Sequence, residues 1–255
     1  MSIKKCLGAI QQADKDYQLI DDHDLIAIGV SGGKDSMVLL YCLKLYQQWC
    51  IKRHIKTFNI IGIHLDMNFG GMDMQPIEAF AKTNDIPFVN IKTQIYDILK
   101  MHLNNAGNIS CSLCSKLKKG AMIQEAKNVN ATKTAFAHHG DDAVETLFLN
   151  MIHGGRIATF DPKMHLTNAD MTFIRPLIYA KEAWINMAVQ QANIPVVAST
   201  CPRDKHTQRE SIKQLIQTIE SDYPSAKYNL LKSLSNDQQI DLWHPIHESN
   251  ESTSK

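Results

Sequence analysis

The sequence predicts an α/β fold, in which a doubly wound and mostly parallel sheet carries helices on both of its faces. Two features lead to this prediction. Short apolar runs bounded by turn residues alternate with longer segments in which apolar side chains recur at helical spacing. Such an alternation is typical of parallel strands joined by right-handed helical crossovers. Ligands of these sheets bind where the strands end, so the turns after the strands are the first candidates for a site.

The predicted elements follow one another in a regular order. The first strand covers residues 25–30, and the helix after it carries apolar residues over 37–45. Further strands are predicted at residues 58–65, 87–91, 134–137 and 195–198. Further helices are predicted at residues 77–83, 95–102, 113–129, 142–152, 181–192 and 207–220.

The composition fits a globular protein with a substantial core, since 44% of the residues are hydrophobic and 21% are charged. No stretch reaches the roughly 20 apolar residues of a membrane span, and no apolar leader follows the first residues. We therefore expect a cytoplasmic protein without a membrane partner. In a reducing compartment the six cysteines are better candidates for metal ligands or reactive thiols than for disulfides. A net charge of +1 means that any surface for nucleic acid must be local.

A glycine-rich loop follows the first predicted strand and opens the next helix. Unpaired backbone N–H groups and the helix dipole favour an anion there, and glycine lets the backbone approach phosphate oxygens closely. A lysine adds positive charge, and the serine hydroxyls can donate hydrogen bonds. The spacing fits neither G-x-x-x-x-G-K-[ST] nor G-x-G-x-x-G, and the alternative is a structural glycine turn. The residues of this loop are Ser31, Gly32, Gly33, Lys34, Asp35 and Ser36.

A second polar turn, HHGDD at residues 138–142, lies between a predicted strand and a predicted helix. Its side chains should face the same cleft as the first loop, and carboxylates there suit Mg²⁺ bound to phosphates. We assign His138, Asp141 and Asp142 to the nucleotide site, with Asp141 as a ligand of Mg²⁺. The alternative is that the two acids cap the helix. Asp66, after the second predicted strand, is a further candidate for the nucleotide pocket or else a turn residue.

Two cysteines form a C-x-x-C pair, Cys111 and Cys114, a spacing that lets two thiolates bind one metal. Cys201 is the only later cysteine, and it stands in a loop that could approach the same cleft. Three interpretations stay open: an iron–sulfur cluster with three cysteine ligands, a zinc ion completed by a histidine, or a redox dithiol. A cluster with three ligands leaves one iron open to hold sulfide, which connects the cysteines to sulfur transfer. The histidines considered for zinc are His102, His153 and His206.

The order of the motifs carries the strongest signal. SGGKDS is followed by CSLCSKLKKG, HHGDDAVETLFLNMIHGG, IRPL and a late cysteine. This order resembles the PP-loop ATP pyrophosphatases, which share an adenine nucleotide alpha hydrolase-like fold. Among them it resembles the tRNA 2-thiocytidine synthetases (TtcA-type tRNA-cytidine 2-sulfurtransferases), over about residues 20–230. The resemblance implies that ATP and Mg²⁺ are cofactors and that Cys111, Cys114 and Cys201 hold a [4Fe-4S] cluster.

The resemblance also implies a reaction. ATP adenylates the C2 oxygen of a cytidine in a tRNA anticodon loop, pyrophosphate leaves, and sulfur then replaces the oxygen. Lys34, Asp35 and the three cysteines would be the catalytic residues. The implied partners are tRNA and a sulfur donor such as a cysteine desulfurase, and a homodimer is one assembly that the sequence leaves open.

The chain departs from this family at two places. Asp204 stands where a second late cysteine is usual, and Gly140 stands where arginine is usual. Two other functions therefore stay open. One is a PP-loop ligase or thiolase with a structural zinc, acting as a lysidine-type enzyme, on another base or on a small molecule. The other is a nucleotide-binding module without turnover.

We predict four parts of the chain. Residues 1–20 form an N-terminal helical segment, and residues 21–200 form the PP-loop domain, with the C-x-x-C segment as an insertion. Residues 201–240 form a C-terminal helical segment, and the polar residues 241–255 form a flexible tail.

Overall fold

The computed structural model describes residues 2–103, 107–201 and 208–236, together with residues 238 and 242. In these ranges the strands form one six-stranded sheet with helices packed on both faces, which confirms the predicted fold class. The strands are β1 (Asp24–Gly29), β2 (Phe58–Asp66), β3 (Phe88–Lys92), β4 (Lys133–Ala135), β5 (Lys163–Leu166) and β6 (Met171–Ile174). The helices are α1 (Ser2–Tyr17), α2 (Lys34–Lys52), α3 (Gln75–Thr83), α4 (Ile95–Met101), α5 (Cys111–Asn128), α6 (Gly140–Gly154), α7 (Glu182–Gln191), α8 (Gln208–Asp222) and α9 (Ala226–Ser233).

The strand order across the sheet is β3-β2-β1-β4-β6-β5. The first five strands in this order are parallel, and β5 runs antiparallel to β6 at the edge. The chain order reverses at β1, because β2 and β3 lie on one side of it and β4 lies on the other. The carboxyl ends of β1 and β4 therefore form the crevice in which ligands of such sheets bind.

Both faces of the sheet are covered by apolar helix surfaces. The central strand β1 is buried almost throughout, as expected of a parallel strand between two helical layers. On one face, α1, α2 and α7 supply the larger core, which includes Ile10, Leu40 and Ile185. On the other face, α5 covers the sheet with Met122 and Ala126. These two layers fix the strand ends, and with them the turns that follow.

The strand predicted at residues 195–198 is wrong, because this segment is irregular and joins no strand of the described sheet. Pro195 has no N–H, and the N–H of Val197 donates to the carbonyl of Gly32 at 2.9 Å rather than to a strand. The sheet instead contains β5 and β6, which are not predicted because four residues are too few to show a periodic pattern.

The ends of the chain are described only in part. Helix α1 lies within the predicted N-terminal segment, and α8 and α9 lie within the predicted C-terminal one. Of the predicted tail, 241–255, only Leu242 belongs to the described residues. Over the described ranges, no helix is both long enough and apolar enough to cross a membrane.

Candidate active site

The glycine-rich loop forms a tight turn between β1 and α2. Gly33 caps α2, and Gly32 has a φ of +85°, a conformation that favours glycine. A Cβ at Gly32 would lie 2.5 Å from the Cε of Met72, so the position also lacks space for a side chain. The Ser36 hydroxyl accepts a hydrogen bond from the Ser31 N–H at 3.1 Å and donates one to the Gly33 carbonyl at 2.9 Å. These bonds fix the turn at the positive end of α2, where an anion is favoured.

Lys34 is held between two carboxylates. Its Nζ lies 2.8 Å from Oδ1 of Asp35 and 3.0 Å from Oε1 of Glu182. Burial acts to lower the pKa of Lys34, but the two carboxylates outweigh it and raise the pKa above its ordinary value. Lys34 is therefore a fixed positive charge beside the loop.

Glu182, the first residue of α7, is not among the residues predicted for the site. Its carboxylate pairs with Lys213 of α8 at 2.9 Å as well as with Lys34. Burial acts to raise the pKa of Glu182, whereas the hydrogen bonds from Lys213 and Lys34 lower it to about 2. An acid in the first turn of a helix ordinarily complements the helix dipole, so nothing in the local sequence marks Glu182 as part of a site.

The turn after β4 brings His139 and Asp142 against the loop. His139 is buried, and its Nε2 lies 3.6 Å from Oδ1 of Asp35 and 3.4 Å from Oδ2 of Asp142. Asp142 accepts a hydrogen bond from the His139 N–H at 3.0 Å and another from Arg209 at 3.0 Å. The two predicted polar turns therefore meet, because they follow the neighbouring strands β1 and β4.

Asp141 and Asp66 have partners away from the loop. Oδ2 of Asp141 accepts a hydrogen bond from the Glu182 N–H at 2.8 Å, and Oδ1 pairs with Lys227 at 3.1 Å. Asp66 accepts a hydrogen bond from the Asn68 N–H at 2.8 Å, as expected of a turn residue. Neither acid lines the two cavities that adjoin the loop. Both carboxylates hold the surrounding backbone or helices in place.

A cavity of about 630 Å³ opens beside the loop. Cys111, Cys114 and Cys201 line this first cavity together with Lys34 and Asp35. Burial raises the pKa of Cys114. Among the described residues, no three Cys, His, Asp or Glu side chains lie close enough together to share one metal ion. The other charged residues of the cavity wall are Lys118, Asp142, Glu145, Glu182, Arg209, Glu210 and Lys213.

The three thiols border the same cavity, where they could hold one metal group together. Thiolates are the usual ligands of iron–sulfur clusters, and they also bind zinc. His102 and His153, considered above as zinc ligands, do not line this cavity, and His206 lies outside the described residues.

A second cavity, of about 500 Å³, lies at the carboxyl ends of β1, β2 and β4. Ser31 and His138 line it, and burial lowers the pKa of His138 to about 4, so that the ring is neutral near pH 7. Arg175, from the IRPL segment, also lines it. Ser115 and Lys118 line both cavities, which are therefore adjacent. The apolar wall consists of Val30, Ile63, Leu65, Met67, Met122, Phe136, Met164 and Phe173.

Most of the residues predicted for the site thus line two adjoining cavities, whereas Gly32, Gly33, Ser36, Asp66 and Asp141 do not. One missed residue had a signal in the sequence. Lys118 follows Cys114 by four residues on α5, and side chains at this spacing share one face of a helix. The other missed residues come from distant parts of the chain. They include Arg175, Glu182, Arg209 and Lys213.

Comparison with known proteins identifies the family. A family model described as a PP-loop domain matches residues 7–220. This chain belongs to the PP-loop family. Its relatives include the tRNA-cytidine(32) 2-sulfurtransferase of Nitrosospira multiformis, which is 32% identical over 241 residues, or 94% of this chain and 79% of the relative. The enzyme of the same name from Geobacter sulfurreducens is 33% identical over 237 residues, or 92% of this chain and 90% of the relative.

A solved structure shares the PP-loop fold of this chain. It is the U34-tRNA thiolase NcsA from Methanococcus maripaludis with its [4Fe-4S] cluster, which superposes with a TM-score of 0.74 at 20% sequence identity. The likeness covers 100% of this chain and 86% of the thiolase. The predicted membership in the PP-loop superfamily, beside the tRNA-cytidine 2-sulfurtransferases, is confirmed by these relatives.

Proposed function

We propose that this PP-loop protein is an AMP-forming tRNA sulfurtransferase, which adenylates the C2 oxygen of an anticodon-loop cytidine and replaces that oxygen with sulfur. One observation carries the proposal: Lys34 of the loop and the three cysteines Cys111, Cys114 and Cys201 line the same cavity. Activation of an oxygen by ATP and delivery of sulfur to the same carbon require both groups within reach of one base. The activity named for the relatives supports the same reaction.

The two cavities bind different parts of ATP. The backbone N–H groups at the start of α2 and the charge of Lys34 stabilise pyrophosphate as negative charge grows on it. The adenosine half fits the second cavity, against Leu65 and Phe136. Mg²⁺ beside the phosphates needs a carboxylate that faces them. We assign this role to Asp142, which lines the first cavity, whereas Asp141 does not.

The bond changes balance with ATP and sulfur at the oxidation level of sulfide. The C2 oxygen of cytidine attacks the α-phosphorus, the bond from that phosphorus to the bridging oxygen breaks, and pyrophosphate leaves. Sulfur then adds to C2, and AMP leaves with the original oxygen. A [4Fe-4S] cluster on three cysteines would supply the open iron that carries this sulfur. The protein contributes position and charge, which are the main sources of rate in such transfers.

The substrate must expose its base to the cavity. Unpaired bases of RNA loops are commonly splayed out and read in this way. Lys118, which lines both cavities, places positive charge where an RNA backbone can approach. A cysteine desulfurase as sulfur donor, a cytoplasmic location and a homodimer are further parts of this proposal.

Anaerobic purification tests the proposed function. Iron and acid-labile sulfide should be present in the wild-type protein, and each of Cys111→Ser, Cys114→Ser and Cys201→Ser should lose most of both. Cys50→Ala is the matched control, since Cys50 is a buried cysteine at the far end of α2. A colourless protein that holds zinc and still consumes ATP would overturn the proposal in favour of a ligase.

A second test identifies the product directly. Nucleosides of tRNA from cells that lack this gene should contain no 2-thiocytidine, and expression of the wild-type chain should restore it. The Lys34→Ala chain should not restore it, because the loop would have lost its cation. An unchanged nucleoside profile in the deletion strain would contradict the assignment of substrate.

A further inference from the structure

A segment that follows α7 connects the PP-loop to the third cysteine. This segment, residues 194–201, is here called the strap. It starts at Ile194, which is buried in the core and donates its N–H to the carbonyl of Val189 at 3.0 Å. It ends at Cys201, which lines the first cavity together with Ser199. Between these two points the strap crosses the PP-loop.

The strap is hydrogen-bonded to the backbone of the loop. The N–H of Val197 donates to the carbonyl oxygen of Gly32 at 2.9 Å. A Cβ added at Gly32 would lie only 3.6 Å from the Cβ of Val197, so the two segments run close together. The strap is therefore a direct neighbour of the loop and shares one hydrogen bond with it.

This hydrogen bond fixes one peptide unit of the loop. The carbonyl of Gly32 and the N–H of Gly33 belong to the same planar trans peptide, so they point in opposite directions. Because Val197 holds the carbonyl toward the strap, the Gly33 N–H points to the other side, where it meets the Ser31 hydroxyl at 3.3 Å. That N–H is one of the donors that the loop can offer to a phosphate. The strap thus sets the direction of an anion-binding amide.

Helix α7 and the strap touch the loop at two places. Glu182 at the start of α7 binds Lys34 at 3.0 Å, and the strap follows the end of the same helix. A phosphate could bind Lys34 in place of Glu182 and accept a hydrogen bond from the Gly33 N–H. It would then act both on the start of α7 and on the strap that follows this helix. Cys201 lies four residues beyond Val197, a span of at most about 14 Å even in an extended chain. A change at the loop reaches the third thiol through one short segment.

We infer that the strap couples nucleotide binding at the PP-loop to the binding of the metal group by Cys201 in the first cavity. Val197 acts as a positioning residue. The inference rests on the proposed function, which gives the three cysteines a [4Fe-4S] cluster. A nucleotide on the loop fixes the strap, and a fixed strap keeps the third thiolate in place. Coupling between two sites is reciprocal. The bound cluster therefore raises the affinity for nucleotide by the same factor as the bound nucleotide raises the affinity for the cluster.

Iron release tests the coupling without any measurement of activity. Iron-loaded protein is mixed with a ferrous chelator, with and without a non-hydrolysable ATP analogue, and the absorbance of the chelate gives the rate. We expect the analogue to slow release roughly tenfold, within the usual range of coupling between sites. Iron-loaded protein should also bind the analogue roughly tenfold more tightly than iron-free protein, by the same reciprocity.

Four variants locate the coupling in the strap. Val197→Pro removes the N–H and should abolish the effect of the analogue, whereas Val197→Ala keeps both the N–H and the effect. Val196→Pro controls for a proline in the strap, because in the described part of the chain the Val196 N–H makes no backbone hydrogen bond. Two glycines inserted between Ala198 and Ser199 leave the bond to Gly32 but lengthen the connection. This insertion should also abolish the effect of the analogue, and it replaces Val197→Pro in the test if that variant does not fold.

The outcomes distinguish this inference from the proposed function. Protein that takes up no iron after anaerobic reconstitution refutes the cluster, and both proposals fail together. Protein that holds iron but releases it equally fast with and without the analogue overturns the coupling alone. A Val197→Pro or glycine-insertion variant in which the analogue still slows release would also overturn it, and the proposed function would stand.

Discussion

The carboxylate of Glu182 lies 3.0 Å from the ammonium of Lys34, although the two residues come from opposite halves of the chain. Lys213 binds the same carboxylate at 2.9 Å, so the cation of the PP-loop is part of a network of four charges that also includes Asp35. The network keeps Lys34 beside the loop before any nucleotide binds. It also means that phosphate oxygens must compete with Glu182 for the ammonium.

Glu182→Gln should tighten nucleotide binding. The carboxylate holds Lys34 and adds negative charge beside the place of the pyrophosphate, so its neutral isostere frees the ammonium for phosphate oxygens. We expect the Kd of a non-hydrolysable ATP analogue to fall roughly tenfold, a change of about 1.4 kcal/mol. Calorimetry measures this, with Glu78→Gln on the exposed face of α3 as the charge-matched control. A Kd that rises in Glu182→Gln would show instead that the carboxylate assists binding.

The same carboxylate should make the fold sensitive to acid. Burial acts to raise the pKa of Glu182, but its pairs with Lys213 and Lys34 lower it from an ordinary 4.5 to about 2. Because the folded pKa is the lower one, this stabilisation is complete above about pH 4.5 and disappears as the pH falls toward 2. Urea unfolding of the wild-type protein and of Glu182→Gln should therefore converge over this range. Two stability curves that stay parallel down to pH 2 would contradict the assignment.

The order of strands and helices could be predicted because it depends on local periodicity. The run that contains Ile26 and Ile28 is apolar and ends at a glycine turn, so both the strand and the loop after it are visible in the sequence. Roles that depend on distant partners could not be predicted. Glu182 reaches Lys34, and Lys213 reaches Glu182, only because α7 and α8 fold back over the loop.

The two adjacent acids Asp141 and Asp142 also have roles that depend on distant partners and could not be predicted from the sequence. In the sequence they are equivalent candidates for Mg²⁺. Successive side chains on a helix point about 100° apart, so neighbours at the start of α6 face different surroundings. Asp141 meets the N–H of Glu182 and the ammonium of Lys227, whereas Asp142 lines the first cavity. Only the packing of α7 and α9 against α6 decides which acid faces which side.

Gly140→Ala should destabilise the fold. A Cβ at Gly140 would lie 2.8 Å from the Cδ2 of Leu231, and 3.1 and 3.2 Å from the carbonyl oxygens of Ile178 and Ala180. The leucine tip can move, but the two carbonyls belong to the backbone, so we expect a loss of about 1–3 kcal/mol in the free energy of unfolding.

Gly8→Ala is the matched control for this substitution. Gly8 lies inside α1 with no neighbouring atom within 4 Å of an added Cβ, so alanine there should stabilise the protein by about 1 kcal/mol. Urea unfolding of both variants measures the difference. Equal stability of Gly140→Ala and the wild-type protein would mean that α6 can shift away from α9.

Arg209 should stabilise the contact between α8 and α6. Its Nη1 lies 3.0 Å from Oδ1 of Asp142 and 3.1 Å from Oε2 of Glu145, which is buried. Arg209 itself is partly exposed, so water screens the pair, and a double-mutant cycle of Arg209→Met with Glu145→Gln should give about 1 kcal/mol. The exposed pair of Lys100 and Asp97 on α4 is the control and should give a smaller coupling energy, because water screens it more completely. Equal coupling in the two cycles would place Arg209 among ordinary surface ions.

Lys118 should act on turnover while leaving the metal group in place. It lines both cavities and is the cation that they share, so it lies where the phosphates, the base and the sulfur must meet. A positive charge at that junction stabilises negative charge on the oxygen that is adenylated and on the AMP that leaves. We expect Lys118→Ala to lower kcat for tRNA thiolation by roughly 10²- to 10³-fold, as for the loss of one preorganised donor.

The iron content of Lys118→Ala decides between a role in turnover and a role in binding the metal group. Lys118 is not a thiol, so the variant should hold as much iron as the wild-type protein while its kcat falls. Lys116→Ala on the same helix is the control, because Lys116 is exposed and lines neither cavity. If Lys118→Ala lost iron in proportion to activity, its lysine would serve mainly to hold α5 and the cysteines. If both lysine variants kept full kcat, the junction of the two cavities would not be the place of reaction.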